Sequence, residues 1–329
     1  MSNSSLINSL YDLEIQIATY SSLLVLPIGL VSNILNIIIC MQKAIRKETI
    51  GFYSGMMSLF SIPLLIIGFI AIYPSTSNLL YNSNFDCVAI LYTFRIAVQM
   101  FAWLNVMVAL DRMMCVTFPT RFKFIYKRTF LFTTVLILFS LVLLANSANF
   151  FFKIITVNSL ANNSTQIFCT TKIQNLLLVR DIISQLMRSI LPFLFELILN
   201  AILVHKLLQS RRRANLHSSM KREHKFVFTI VILNFTFILT NLPLLISIIY
   251  LNLLNYQFKS QTSSEAIFVA NFFYSMAAIF SSFMPASTLF INIAFNKYFR
   301  KEFVTVFSCF KADRSIQVIT TKLRNVSHK

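Results

Sequence analysis

The stretch VAILYTFRIAVQMFAWLNVMVALDRMMCVTFP, residues 88–119, decides the class of fold. Its apolar part, 88–112, is long enough to cross about 30 Å of hydrocarbon at about 1.5 Å of rise per residue. It ends in the charged pair Asp111 and Arg112. A charge beside the core of a bilayer is costly, so an arginine there indicates a functional role. The stretch therefore predicts a membrane-spanning helix with a switch residue at one end.

The rest of the chain repeats this apolar pattern. Hydrophobic residues make up 57% of the chain and charged residues 12%, which does not suit a soluble globule. Spans are predicted at 17–41, 50–73, 88–112, 130–152, 182–208, 226–251 and 266–292. In lipid each backbone polar group must be satisfied internally, and segments of this length are too long for barrel strands. The predicted fold is an all-α membrane protein, a seven-transmembrane helix bundle followed by a short amphipathic cytoplasmic helix.

Basic residues collect on one side of the predicted bundle. Most of the 29 Lys and Arg follow segments 1, 3, 5 and 7, and the positive-inside rule makes that side cytoplasmic. The expected location is the plasma membrane, with a multi-pass chain, an extracellular N-terminus and a cytoplasmic C-terminus. The net charge of +18 also suits nucleic acid. The basic residues alternate with the seven spans, so the positive charge is better explained by orientation in the membrane and by contact with anionic lipid of the inner leaflet. No nucleic-acid partner is therefore expected.

Four regions result from this topology. They are an extracellular tail at 1–16, the helix bundle at 17–292, an amphipathic membrane-surface helix at 293–310 and a cytoplasmic tail at 311–329. Phe299, Phe303 and Phe307 are four residues apart, with basic residues off their face. This spacing is typical of a helix that lies on the inner leaflet. Cys309 at its end is either a palmitoylation site or a free thiol.

The predicted outer side contains candidate modification sites. Asn3, Asn162 and Asn163 each begin an Asn-X-Ser/Thr triplet, which predicts N-glycosylation. Cys87 and Cys169 are the two cysteines expected on that oxidising side. They are therefore predicted to form a disulfide that ties the second outer loop to the start of segment 3.

The residues around Asp111 and Arg112 are similar to a known family. Arg112 lies 25 positions after Cys87, and Pro119 lies seven after Arg112. This resembles the Asp-Arg-Tyr region of rhodopsin-like G-protein-coupled receptors. Further family-like motifs are Gly29 to Asn33, Pro192, Phe237 to Pro243 and Met284 to Thr288. The resemblance implies a receptor that binds an extracellular small molecule or peptide and signals through a heterotrimeric G protein.

The chain also departs from that family. Segment 2 has no acidic residue, Asn241 stands where tryptophan is usual, and Asn200 and Thr288 replace relay tyrosines. This divergence, together with 34 phenylalanines, is similar to nematode serpentine chemoreceptors of the Srv, Srg and Srx classes. That likeness implies a chemosensory function and adds the sensory cilium as a candidate location.

The resemblance assigns a switching role to Arg112. Asp111 can hold its guanidinium, and Glu223, twenty residues before Pro243, matches a position where the family often has a glutamate that locks helix 6 to helix 3. Outward movement of helix 6 would break that lock and open a cavity for the G protein. Alternatively, Glu223 is a solvated charge in a basic loop. Asn200, at the relay position, is counted with this predicted coupling switch.

A ligand site is expected in the outer half of the bundle. Arg95 and Arg188 lie there and would be costly against lipid. One interpretation is that either arginine binds an anionic group of the ligand. The other is that they form structural ion pairs, for which Asp181 is the nearest candidate. Further residues expected to line the site are Tyr92, Phe94, Gln99, Asn241, Tyr250, Phe273 and Tyr274.

Enzymatic function is not predicted. The four histidines are dispersed, and four glycines cannot form a phosphate-binding loop. No Cys and His cluster has the spacing of metal ligands, so neither a metal nor a cofactor is expected. The alternative to a receptor is a seven-helix ligand-gated channel or transporter, although carriers typically show internal repeats and midplane acids.

Overall fold

The computed structural model describes residues 3–72, 83–117, 127–159, 164–171, 173–213, 220–254, 264–296, 299–306 and 308. In this part of the chain seven helices are long and apolar enough to cross a membrane. They are α1 (Asn3–Cys40), α2 (Thr49–Ile72), α3 (Asn84–Thr117), α4 (Arg128–Ala145), α5 (Gln174–Gln185, Leu186–Ile190 and Leu191–Arg213), α6 (Met220–Asn252) and α7 (Ser264–Phe295). A short helix, α8, follows at 299–306. The predicted all-α seven-helix class is confirmed.

Two of the differences between the helix bounds and the predicted apolar segments concern α1 and α4. α1 begins at Asn3, so most of the stretch predicted as an outer tail is helical. α4 ends at Ala145 and a 3₁₀ turn follows, whereas the apolar pattern predicted a helix to 152. The Asn146 side chain donates to the carbonyl of Val142 at 2.8 Å and to Gln99 Oε1 at 2.7 Å. Asparagine side chains compete with backbone hydrogen bonds in this way, which favours the end of a helix.

α5 contains a π-helical turn at Leu186–Ile190, which ends two residues before Pro192. A proline ring clashes with the carbonyl four residues earlier, here that of Arg188, and it cannot donate a backbone hydrogen bond. A wider turn relieves this conflict within a continuous helix. The π turn therefore results from the position of Pro192, and it contains Arg188.

α3 lies at the centre of the bundle and packs against α2, α4, α5 and α6. The largest apolar cluster joins Met100 and Leu104 of α3 to Met57 of α2, Val135 of α4 and Phe237 of α6. Burial of apolar surface does not by itself hold helices together in lipid, so close packing and interhelical hydrogen bonds supply the stability.

One such set of hydrogen bonds joins α1 to α7. Asn33 Nδ2 donates to the carbonyl of Pro285 at 3.0 Å, and Ser32 Oγ donates to the carbonyl of Ala286 at 2.9 Å. Gly29 permits this approach, because a Cβ there would lie 2.7 Å from Leu65 Cδ1 and 3.2 Å from Ala286 Cβ. A small residue is therefore required where the two helices meet.

α8 packs against the bundle. Phe299 is buried, and it joins a cluster with Ile39 and Cys40 of α1 and Leu289 of α7. Phe303 is partly buried against the same cluster. The phenylalanine face expected to lie in the inner leaflet thus contacts α1 and α7, because the ends of these helices leave an apolar surface there.

A β-hairpin extends from the loop after α4. β1 (Lys153–Ser159) and β2 (Ser164–Thr170) pair antiparallel, with Ile154 opposite Cys169. The predicted disulfide is present: Cys169 is bonded to Cys87 in the first turn of α3, with 5.5 Å between their Cα atoms. The amide of Ile154 also donates to Asn84 Oδ1 at 2.9 Å. The hairpin is thereby fixed to the start of α3.

Candidate functional site

Two adjoining cavities, here called the outer cavities, lie among the bundle helices at the hairpin end. They measure about 300 Å³ and about 260 Å³, within or near the range of small-molecule sites. Both are lined by Phe94 and Val98 of α3, Arg188 of α5 and Tyr274 of α7. Six of the side chains expected to contact a ligand therefore line these cavities: Phe94, Arg95, Gln99, Arg188, Asn241 and Tyr274.

Asp181 forms ion pairs with two arginines at this site. Arg95 Nη2 lies 3.6 Å from Asp181 Oδ1, and Arg180 Nη2 lies 2.6 Å from the same oxygen. The guanidinium of Arg180 also lies 4.1 Å from the centroid of the Phe152 ring, within range of a cation–π interaction. Asp181 is therefore a partner for Arg95, as one interpretation anticipated. Arg180 was not predicted, although its place beside Asp181 was the available signal.

Arg188 differs from these two arginines. It lines both outer cavities, and no ion pair joins it to another residue in the described part of the chain. Glu14 of α1 lines the larger cavity as well. The site thus contains the guanidinium groups of Arg95, Arg180 and Arg188 against the carboxylates of Asp181 and Glu14, which leaves an excess of positive charge.

Three of the aromatic residues expected at this site lie elsewhere. The Tyr92 hydroxyl donates to the carbonyl of Leu143 in α4 at 3.1 Å, and its ring lies 4.9 Å from that of Phe150. Tyr250 and Phe273 are exposed on the outside of the bundle. None of these three residues lines the outer cavities, because successive helical residues point about 100° apart and packing decides which of them faces inward.

The Asp111 and Arg112 pair is buried at the opposite end of α3. Arg112 Nη2 lies 3.1 Å from Asp111 Oδ2 and donates to Thr49 Oγ1 at 3.0 Å. The Thr49 hydroxyl in turn donates to Asp111 Oδ2 at 2.7 Å. Thr49, the first residue of α2, was not predicted, since nothing in its local sequence indicates this contact. Glu223 is in the first turns of α6, but its side chain lies outside the described residues, so the lock stays a prediction.

Asn200 links α5 to α6. Asn234 Nδ2 donates to Asn200 Oδ1 at 2.8 Å, and Asn234 is fully buried. Glu196, one turn before Asn200, is also fully buried. Neither of its carboxylate oxygens has a hydrogen-bond partner in the part of the chain that the structure describes. An amide in an apolar segment was the only sequence signal for Asn234.

Several predicted sites lie outside the described residues. These are the side chain of Asn3, together with Asn162, Asn163, Cys309 and the tail from 311 onward. Their modification stays a prediction. Among the described residues no group of three or more His, Cys, Asp or Glu is placed to hold a metal ion.

A helix bundle with a cavity at one end and a buried Asp-Arg pair at the other is the architecture of a seven-transmembrane receptor. The chain matches the family described as 7 transmembrane receptor (rhodopsin family) over residues 32–284. Because this match covers well over half of the sequence, the protein belongs to the rhodopsin family of receptors. Membership implies a ligand and coupling to a G protein. No curated protein matches the chain.

Proposed function

We propose that this receptor is chemosensory and binds a small extracellular ligand, or the end of a peptide, through an anionic group. The observation that carries the proposal is the position of Arg188, which lines both outer cavities without an ion pair among the described residues. Guanidinium groups bind carboxylate and phosphate groups in a bidentate manner, which gives both affinity and orientation.

The ion pairs of the other arginines support this choice of anchor. Arg95 and Arg180 both contact Asp181, so a ligand would have to compete with a carboxylate to bind either of them. Their combined charge still exceeds that of Asp181 and raises the local positive potential. Arg188 is therefore the anion anchor, and Arg95 shapes the wall of the smaller cavity.

The floor of the larger cavity offers a route to α6. Phe237 and Asn241 of α6 line this cavity, and the Phe237 ring packs 6.4 Å from that of Phe101. About one turn nearer the start of α6 lies Asn234, which is hydrogen-bonded to Asn200. Outward movement of α6 on ligand binding would break this bond and expose Arg112 to the G protein. This route does not require the relay tyrosines that the chain lacks.

The orientation in the membrane is part of the same proposal. The cluster of basic residues after segments 1, 3, 5 and 7 supports an extracellular N-terminus in the plasma membrane. An epitope tag placed before Met1 should bind antibody on intact cells, whereas a tag after Lys329 should bind only after permeabilisation. The reverse labelling pattern contradicts this orientation. The proposed chemosensory role and the proposed location in the ciliary membrane are supported only by the departures of this sequence from the usual rhodopsin-like motifs.

The test of function is agonist-dependent nucleotide exchange in cells that co-express a promiscuous G protein. A panel of small carboxylates, phosphates and sulfates should contain agonists. Arg188→Gln should raise their half-maximal concentration by about tenfold to a hundredfold, since a charged hydrogen bond contributes about 1.5–3 kcal/mol. Arg188→Lys should retain part of the response.

The matched control is Lys153→Gln, which removes the same charge from an exposed position on β1. It should leave the dose–response curve unchanged. An equal effect of both variants, or agonists that are all neutral or cationic, would overturn the assignment of Arg188. Ligand-gated current without nucleotide exchange would instead identify a channel.

A further inference from the structure

We propose that a cleft between α1, α2 and α4 binds the headgroup of an anionic glycerophospholipid of the cytoplasmic leaflet. The cleft has a volume of about 680 Å³ and lies beside Cys40 at the end of α1 and Arg128 at the start of α4. This is the end of the bundle opposite the outer cavities. The choice of leaflet rests on the orientation proposed above.

The body of the cleft is apolar and open toward the membrane. Met41, Leu59 and Phe132 line it and are 68%, 52% and 61% exposed. Phe52 and Met56 continue the apolar wall. These side chains can contact acyl chains, whereas a soluble ligand would find little to bind there.

The rim of the cleft is basic. Arg46, Lys47 and Arg128 lie on it and are exposed, and Glu48 is the acid beside them. Arg128 Nη2 donates to the carbonyl of Arg46 at 3.0 Å, which fixes the guanidinium at the rim and leaves its other N–H groups for a phosphate. An excess of positive charge above an apolar wall complements an anionic headgroup with its acyl chains.

The start of α4 adds a second source of positive potential. Helix α4 begins at Arg128 on this rim, and the positive end of its dipole favours an anionic group there. The rim therefore contains both charged side chains and the positive end of a helix dipole.

Beside the cleft, Gly51 lets the start of α2 approach the segment that follows α1, and Gly55 lets it approach the end of α1. A Cβ on Gly51 would lie 2.7 Å from Cγ2 of Ile45, and one on Gly55 would lie 3.4 Å from the Cβ of Cys40. A Gly-x-x-x-Gly pattern is typical of close helix pairing. Here the two glycines contact residues of the same chain, and the neighbouring groove is available to lipid.

Native mass spectrometry of the purified full chain tests this site. Phosphatidylserine and phosphatidylcholine with identical acyl chains are titrated against wild type and against the triple variant Arg46→Gln, Lys47→Gln, Arg128→Gln. Phosphatidylserine should bind wild type about tenfold more tightly, and the variant should lose this preference, since each basic group near a membrane surface contributes several-fold to binding of anionic lipid. Binding of phosphatidylcholine should not change.

The matched control is Arg211→Gln, Arg212→Gln, Arg213→Gln, which removes three charges from the end of α5, a helix that does not line the cleft. It should change phosphatidylserine affinity by less than about threefold, because diffuse charge contributes weakly. Equal losses in the two triple variants would overturn the proposal, as would equal binding of the two lipids to wild type.

A second variant tests the apolar wall. Leu59→Trp fills the cleft with the rim intact and should weaken binding of both lipids by about threefold to tenfold, since displaced acyl contacts scale with buried apolar area. Because Leu59 is half exposed, the variant should fold, and it carries the test if the triple variant does not. Unchanged lipid binding in Leu59→Trp contradicts the site. No agonist or G protein is present, so failure here leaves the Arg188 proposal untouched.

Discussion

The Thr49 hydroxyl donates to Asp111 at 2.7 Å and accepts from Arg112 at 3.0 Å, so one side chain of α2 holds both members of the charged pair at the end of α3. All three residues are buried. Removing a partner from a buried charge costs several kcal/mol. The arrangement of the charged pair at this end of α3 therefore depends on an uncharged residue as well as on the ion pair.

Loss of the Thr49 hydroxyl should raise basal signalling. Thr49→Val preserves the shape of the side chain and removes both hydrogen bonds, each worth about 1.5–3 kcal/mol when a partner is charged. Basal nucleotide exchange, measured at equal surface expression, should rise by about tenfold or more, because losing even about 1.5 kcal/mol from the state that contains these bonds shifts the equilibrium about tenfold. Thr49→Ser, which retains the hydroxyl, should behave as wild type. Basal exchange that stays flat in a folded Thr49→Val receptor contradicts this role.

The hydrogen bond between Asn200 and Asn234 should couple α5 to α6 energetically. Either single substitution to Leu removes this hydrogen bond and leaves the other amide without its partner, at a cost of about 1–3 kcal/mol, whereas the double substitution removes both amides. Melting temperatures of the purified receptor should fall in both single variants and recover in the double variant.

Thr236→Val is the control for that cycle. Its hydroxyl donates to the carbonyl of Ile232 in its own helix at 2.8 Å, so its loss should affect stability little and additively. Strictly additive losses in the Asn200 and Asn234 variants would show that the two helices are not coupled through this contact.

Glu196 should be a site where a neutral side chain stabilises the fold. Its carboxyl group is fully buried and has no hydrogen-bond partner within the described part of the chain, and such a group is costly in a membrane. Glu196→Gln should raise the melting temperature of the purified receptor by a few degrees, which corresponds to about 1–2 kcal/mol. Asp12→Asn, which removes a carboxylate at an exposed position in α1, should leave it unchanged. A lower melting temperature of Glu196→Gln would mean that the carboxylate has a required partner.

The number and type of the helices could be predicted because length and apolarity alone select a spanning helix. The Cys87–Cys169 bond could also be predicted, since topology left two cysteines on the oxidising side. The end of α4 could not. It depends on the contact of Asn146 with Gln99, which are distant in sequence.

The candidate site was harder to predict for the same reason. Arg188 and Tyr274 were found by their chemistry, but Tyr92 and Phe273 have similar chemistry and face α4 and the outside of the bundle. The rotation of each helix is set by its neighbours. The role of Thr49 could not be predicted from the sequence, because its two hydrogen-bond partners lie on another helix. The hairpin at 153–170 likewise depends on the disulfide and the Asn84 contact more than on its own pattern.

The π turn at Leu186–Ile190 sets the angular relation between the two halves of α5. A π turn contains about one residue more than an α turn, so it rotates the second half of the helix by about 100° relative to an uninterrupted helix. Arg188 therefore faces the outer cavities while Asn200 still meets Asn234. Deleting one residue from this turn would keep both Arg188 and Asn200 in the sequence but rotate one of them away from its present direction by about 100°. If Arg188 binds the ligand as proposed, the length of this turn is therefore as important for recognition as its composition.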